Sequence, residues 1–172
     1  MNKFLQIFKI EDLRNKILKT AFLLACFSAL SIIPISGVDV IRLRDFLSSN
    51  QLFGFLSVFS GGGLKNLSIV MLGVAPYITA TIIMQLLTMI FPKFKEMYYE
   101  EGAAGRAKFN RYSKYLTVPL AGLQAYGFLN LLASKNVLPL IGPFDTFKNI
   151  ILITAGSMIL VWIGELISEQ KI

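Results

Sequence analysis

From Asn66 to Pro92 the chain runs 27 residues without a charged side chain, and Gly73-Val74-Ala75-Pro76-Tyr77 interrupts that run from within. As unbroken helix it would extend about 40 Å at ~1.5 Å per residue, against a hydrocarbon thickness of ~30 Å. One simple span cannot use all of it. Part must fold back, tilt steeply or line a cavity, because irregular backbone at membrane depth is tolerated only where protein or water satisfies the freed polar groups. Just upstream, Phe59-Ser60-Gly61-Gly62-Gly63 is too glycine-rich for an ordinary helix. A broken apolar run beside a glycine tract points to a pore or a transport path.

Of the 172 residues, 55% are hydrophobic and 16% charged, against roughly 45–50% and about 25% in soluble domains. That balance places the chain in a membrane. Uncharged stretches separate Lys19 from Asp39, Lys65 from Lys93, Lys114 from Lys135 and Lys148 from Glu165. Each comes near the ~20 residues that cross a bilayer. They predict four spans at about 17–35, 69–91, 115–133 and 149–167 in an all-α polytopic membrane protein. A fifth uncharged stretch, Phe46–Leu64, carries serines, Asn50, Gln51 and three consecutive glycines, so it reads as an extramembrane or re-entrant segment. Residues 1–16 place Phe4, Ile7, Phe8 and Leu13 near helical spacing. They fit either a cytoplasmic interfacial helix or a frayed tail.

The net charge of +7 would suggest nucleic acid in a soluble protein, but here its placement decides. With the N-terminus cytoplasmic, the inner side carries twelve of the 17 Lys and Arg residues and the outer side five. The positive-inside rule expects that split, so no nucleic-acid partner is expected. Cys26 is the only cysteine, so no intrachain disulfide can form. There is no histidine and no aspartate within a span, the only carboxylate abutting a span is Glu165, and every lysine lies at a boundary or in a loop. Gly61-Gly62-Gly63 lacks the Gly-Lys-Ser/Thr of a phosphate loop. Catalysis, a metal site and a cofactor are therefore not expected.

Val74, Ile78 and Ile82 recur every four residues and so share one helix face. On composition alone this fits a lipid-facing or packing stripe. Pro76, Thr79, Thr81 and Gln85 on the same segment speak for a different use, a hydrophobic constriction flanked by polar groups.

Further motifs carry a resemblance. They are Ile33-Pro34-Ile35-Ser36-Gly37-Val38-Asp39, Phe59-Ser60-Gly61-Gly62, Leu72-Gly73-Val74-Ala75-Pro76-Tyr77-Ile78-Thr79-Ala80 and Ile82-Ile83-Met84-Gln85-Leu86-Leu87. Glu101-Gly102-Ala103-Ala104-Gly105-Arg106 and Trp162-Ile163-Gly164-Glu165-Leu166-Ile167-Ser168-Glu169 complete the order. Together they resemble the bacterial-type SecY family, the channel subunit of the Sec protein translocase, through nearly the whole chain.

The resemblance implies the N-terminal part of a ten-helix channel, with four transmembrane helices and a short re-entrant plug. In that fold Val74 and Ile78 would be pore-ring positions. Ser57, Phe59, Ser60, Gly61, Gly62, Gly63 and Asn66 would belong to the plug, and Thr79, Ile82, Ile83 and Gln85 to the lateral gate. Gly102, Gly105, Arg106, Lys108 and Arg111 would lie in a cytoplasmic loop, expected as an exposed turn over Glu100–Arg111 that either meets the motor or ribosome or is simply solvated. Implied partners are the SecE and SecG subunits, the SecA motor ATPase, the ribosome, signal peptides, nascent chains and lipid. The implied site is a bacterial inner membrane, with a thylakoid membrane as the other host. The family has ten spans, so the chain is expected to be an N-terminal fragment or an incomplete gene product.

Two other functions compete. A small-solute transporter would place a substrate at the broken helix, but an ionisable group is then expected at that depth, and none lies between Lys65 and Lys93. An intramembrane enzyme would need the catalytic groups that are missing.

Overall fold

Pro34 decides where the first helix stops. The residue before a proline is driven out of helical geometry, and helix α1, Glu11–Leu30, frays over Ser31–Ile33 before reaching it. The computed structural model describes residues 11–35, 66–138 and 142–170, with 41–43, 45, 55 and 58 between them. The helix thus begins before the expected span of 17–35 and ends before residue 35. Residues 11–16 are continuous with the helix that follows, and 1–10 lie outside the described residues.

Ile33–Ile35 leaves the helix for another use. Pro34 forms an antiparallel bridge with Ser68, with the Ile35 amide donating to Leu67 O at 2.9 Å and the Ile69 amide to Ile33 O at 3.1 Å. The end of α1 is thereby fastened to the start of the long uncharged run.

That run is not helical from residue 69 as expected. Residues 66–74 form successive tight turns, with amides of Met71, Gly73 and Ala75 donating to carbonyls three residues back at 2.9–3.3 Å. Leu67 (φ 42) and Gly73 (φ 59) hold left-handed backbone. Glycine adopts it without steric cost, whereas Leu67 is held there by complete burial. Helix α2, Ala75–Ile90, begins only after these turns, with Pro76 in its first turn. There the missing N–H leaves no helical bond unmade.

Phe91 is extended (φ −109, ψ 115), and helix α3, Pro92–Tyr99, departs from α2 at 112°. Gly102 (φ 64) turns the chain again, and α4, Gly102–Ser134, runs for 33 residues, about 50 Å. The expected loop over Glu100–Arg111 is therefore mostly helix. Ala103, Ala104 and Ala107 favour helix, and α3 gives its first turns something to pack against. A β-carbon on Gly105 would collide with the carbonyl oxygen of Met97, and the Tyr98 and Phe109 rings meet at 4.8 Å.

At its far end α4 closes with a Schellman motif. The Val137 amide donates to Leu132 O at 3.1 Å and the Asn136 amide to Ala133 O at 3.0 Å, with Asn136 at φ 56. Leu132 and Val137 are buried in the same cluster, the apolar contact that accompanies this cap. Helix α5, Pro143–Glu169, follows.

The packing is written in a period of four. The buried face of α4 is Gly105, Phe109, Ser113, Thr117, Ala121, Ala125 and Leu129. On α2 it is Pro76, Ala80, Met84 and Thr88. Rows at i±4 are the ridges through which helices interdigitate, and small residues let backbones approach where lipid gives no hydrophobic drive. Accordingly α4 packs against α2, α3 and α5, while α1 packs on α5. The hydroxyls of Ser113, Thr117 and Thr154 donate to carbonyls four residues back at 2.7–3.1 Å, which leaves little polarity at the seams.

Helices α4 and α5 are each long and apolar enough to cross a membrane, and the bent α2–α3 pair adds a third if it counts as one span. In α1, Arg14, Lys16 and Lys19 occupy the N-terminal half, so its uncharged part begins at Thr20.

Near one end of the α4–α5 pair Lys114 Nζ lies 2.6 Å from Glu165 Oε1, both about a third exposed. Solvent screening limits such a pair to ~1 kcal/mol or less. Reversing Lys114 alone to Glu is expected to lower the melting temperature in detergent by a few degrees, about 1 kcal/mol. Exchanging both charges (Lys114→Glu with Glu165→Lys) should restore it. An unchanged melting temperature in the single variant would show that the pair adds nothing.

Candidate functional site

The broken run presents two faces on α2. One is the buried ridge against α4. The other carries Val74, Ile78, Ile82 and Leu86, which are 40%, 53%, 51% and 52% exposed. Four apolar residues at this spacing make a stripe about 18 Å long that no described part of the chain covers. Val74 is the N-cap of α2, and its carbonyl accepts the amides of Tyr77 at 3.0 Å and Ile78 at 3.1 Å. The turns of 66–74 thus set the first position of the stripe, and helical geometry sets the rest.

The stripe is drier than the sequence suggests. Thr79 Oγ1 donates to Ala75 O at 3.0 Å and Thr81 Oγ1 to Tyr77 O at 2.9 Å. Those hydroxyls are consumed by their own helix. Thr79 and Ile83 are half-buried, whereas Ile82 and Gln85 are exposed. The candidate gate residues therefore divide into two outward-facing positions and two that flank the α4 seam.

Of the candidate plug residues, Ser57, Phe59, Ser60 and Gly61–Gly63 lie outside the described residues. Asn66 is exposed, and its Nδ2 donates to Ser31 O at 3.4 Å, which ties the end of that segment to the foot of α1. The candidate loop residues lie on one helix instead. Gly105 is buried at the α3 contact, Arg106, Lys108 and Arg111 are exposed along α4, and Lys108 Nζ pairs with Glu101 Oε2 at 3.0 Å. Among the described residues no cluster of His, Cys, Asp or Glu could hold a metal ion.

One position that matters to the site was not singled out from sequence. Gly156, on α5, faces the backbone of Ile69 so closely that an added β-carbon would overlap the Ile69 carbonyl. It fixes the turns that set Val74. In the sequence it is one glycine inside an apolar stretch, with nothing to mark it.

Fold and site together define an α-helical membrane protein with an uncharged apolar stripe left open on a broken helix. The family model of SecY matches residues 68–172, and the chain belongs to the SecY family. It is 39% identical over 189 aligned residues to the protein translocase subunit SecY of Streptomyces galbus, covering 100% of this chain and 42% of that protein. The corresponding figures are 40% over 175 residues for the Borreliella burgdorferi subunit, with 98% and 39% covered. For the Aquifex aeolicus subunit they are 38% over 181 residues, with 100% and 42% covered. The chain spans about two-fifths of the length of these relatives. Kinship with translocase subunits sets the solute-transporter alternative aside.

Proposed function

We propose that the chain is the N-terminal part of the central subunit of a Sec translocon, which conducts unfolded secretory polypeptides across the membrane and releases membrane segments sideways into lipid. The observation that carries this reading is the exposed stripe of α2. It is apolar, uncharged along its length and not committed to packing within the chain. Such a lining excludes ions when closed, because a narrow apolar constriction dewets. It also discriminates little among side chains that pass. No catalytic step is involved.

In this proposal Val74 and Ile78 contribute to the pore ring, Ile82 and Gln85 face the lateral opening with Thr79 and Ile83 behind them, and the glycine tract 61–63 is the plug. The chain makes four passes with its N-terminus in the cytoplasm of a bacterial inner membrane. The basic first turns of α4, with Arg106, Lys108 and Arg111, meet the SecA motor or the ribosome, and SecE and SecG complete the complex.

Photo-crosslinkers at Ile82 and Gln85 of the complete protein, in membranes holding a stalled secretory precursor, test the reading. Capture is expected from both positions and not from Ala80, which is buried against α4. Transport that continues with no capture from either exposed position would sink it.

A further inference from the structure

The apolar core of the molecule sits at one end of α4. Ala125, Leu129 and Leu132 join Leu67, Met71 and Ile153 in it, and among the described residues neither α2 nor any part of α4 before Ala125 belongs to it. The other end of α4 is built differently. Ser113 and Thr117 are buried there, and their hydroxyls donate to Phe109 O and Ser113 O, a bond that often bends a helix. Pro119 follows inside the helix. It has no N–H to give Tyr115 O, and its ring crowds that carbonyl. Gly122, almost one turn on, is the poorest helix former after proline. Between 113 and 122, α4 therefore collects the features that let a helix bend.

The part of α4 before Pro119 forms one body with α3. Gly105 lies directly against the Met97 backbone, and the Tyr98 and Phe109 rings meet at 4.8 Å. This arm is joined to the end of α2 through the extended residue Phe91. It is joined to α5 by Lys114 Nζ and Glu165 Oε1 at 2.6 Å, five residues before Pro119. Both groups are about a third exposed, so solvent and salt weaken the pair and it can release.

We propose that Pro119 is a hinge in α4 and that the Lys114–Glu165 pair is its latch. With the pair closed, the arm of α3 and residues 102–118 stands against α5; with the pair open, the arm swings away. The arm carries the end of α2 that bears Leu86, while the turns of 66–74 hold Val74 to the core. Opening thus shifts one end of the exposed stripe relative to the other. That consequence rests on the role proposed for the stripe, whereas the hinge and latch do not.

Ala107 lies about 18 Å from Pro119 along the helix, so a bend of ~20°, the scale of a proline kink, displaces it by about 6 Å. The complete protein, with cysteines only at Ala107→Cys and Ser168→Cys, both exposed positions, is spin-labelled, and the distance between the labels is measured by pulsed dipolar spectroscopy. Glu165→Gln is expected to raise the ratio of long to short distances about two- to fivefold, equivalent to ~0.4–1 kcal/mol. Raising salt from ~0.1 M to ~1 M should move the parent protein in the same direction. Pro119→Ala restores the N–H at an exposed position and should return Glu165→Gln to the parent distribution. A pair that is merely structural would change the melting temperature and leave the distances alone. The latch is overturned by a parent distribution in both Glu165→Gln and high salt. The hinge is overturned if the long distances persist when Pro119→Ala is combined with Glu165→Gln. Crosslinking at Ile82 reports on the channel separately, and failure there leaves these distances unaffected.

Discussion

Val74→Gly combined with Ile78→Ser, in the complete protein, is expected to raise resting ion conductance about tenfold or more while leaving abundance and membrane insertion close to normal. A dry constriction excludes ions because wetting it is unfavourable, and each ~1.4 kcal/mol taken from that cost is a factor of ten in the open, wetted population. Removing two branched apolar side chains and adding a hydroxyl takes away more than this, since burying one such side chain is worth ~1.5–3 kcal/mol. The fold should tolerate the change, because both side chains stand on the face of α2 that points away from α4. Lipid-facing residues would give the opposite pattern, with no leak and at most a small loss of packing. Planar-bilayer conductance separates the two. A double variant that stays ion-tight, even with Gly61–Gly63 also deleted, removes Val74 and Ile78 from the ring.

Gly156→Ala should be, with Gly105→Ala, one of the two most damaging glycine-to-alanine changes in the described part of the chain. Its β-carbon would overlap the Ile69 carbonyl and lie 3.3 Å from the Val70 amide nitrogen. Both are backbone, held by the bridge to Ile33–Ile35 and by complete burial of Leu67, Ser68 and Val70. Nothing there is the free end of a flexible side chain, so α5 must move away. Overpacking of this kind costs about 1–3 kcal/mol or more. Gly164→Ala on the same helix meets nothing within 4 Å and should gain ~0.5–1 kcal/mol from the better helix former. Thermal unfolding in detergent is expected to order them Gly164→Ala, parent, Gly156→Ala. A parent-like Gly156→Ala would mean that the contact between α5 and the turns is looser than described.

The separation of apolar runs by charges was enough to announce a membrane protein of helices, because a span must keep charge out over a fixed length. The motif order around Gly73–Ala80 and Trp162–Glu169 was enough to indicate the family. Helix ends were less legible. Pro34, Pro92 and Pro143 marked boundaries for a local reason, their effect on their own and the preceding backbone, and two of them sit at helix starts where the sequence places spans ending or loops continuing. The helical start of α4 was hidden, since Arg106, Lys108 and Arg111 read as loop on charge, while what makes them helical is the docking of α3 at Gly105 and Phe109.

The sequence by itself determined that the stretch from Asn66 to Pro92 lies in a membrane, that it is broken, and that Val74, Ile78 and Ile82 share one face, since these depend only on residue type, charge spacing and helical period. Only the tertiary structure decided which face of α2 is left open, that Thr79 and Thr81 spend their hydroxyls on their own helix, and that Gly156 anchors the turns beneath Val74. Those outcomes depend on which ridge of α4 and which stretch of α5 come to lie against α2, and such contacts join residues far apart in the chain that no local pattern links.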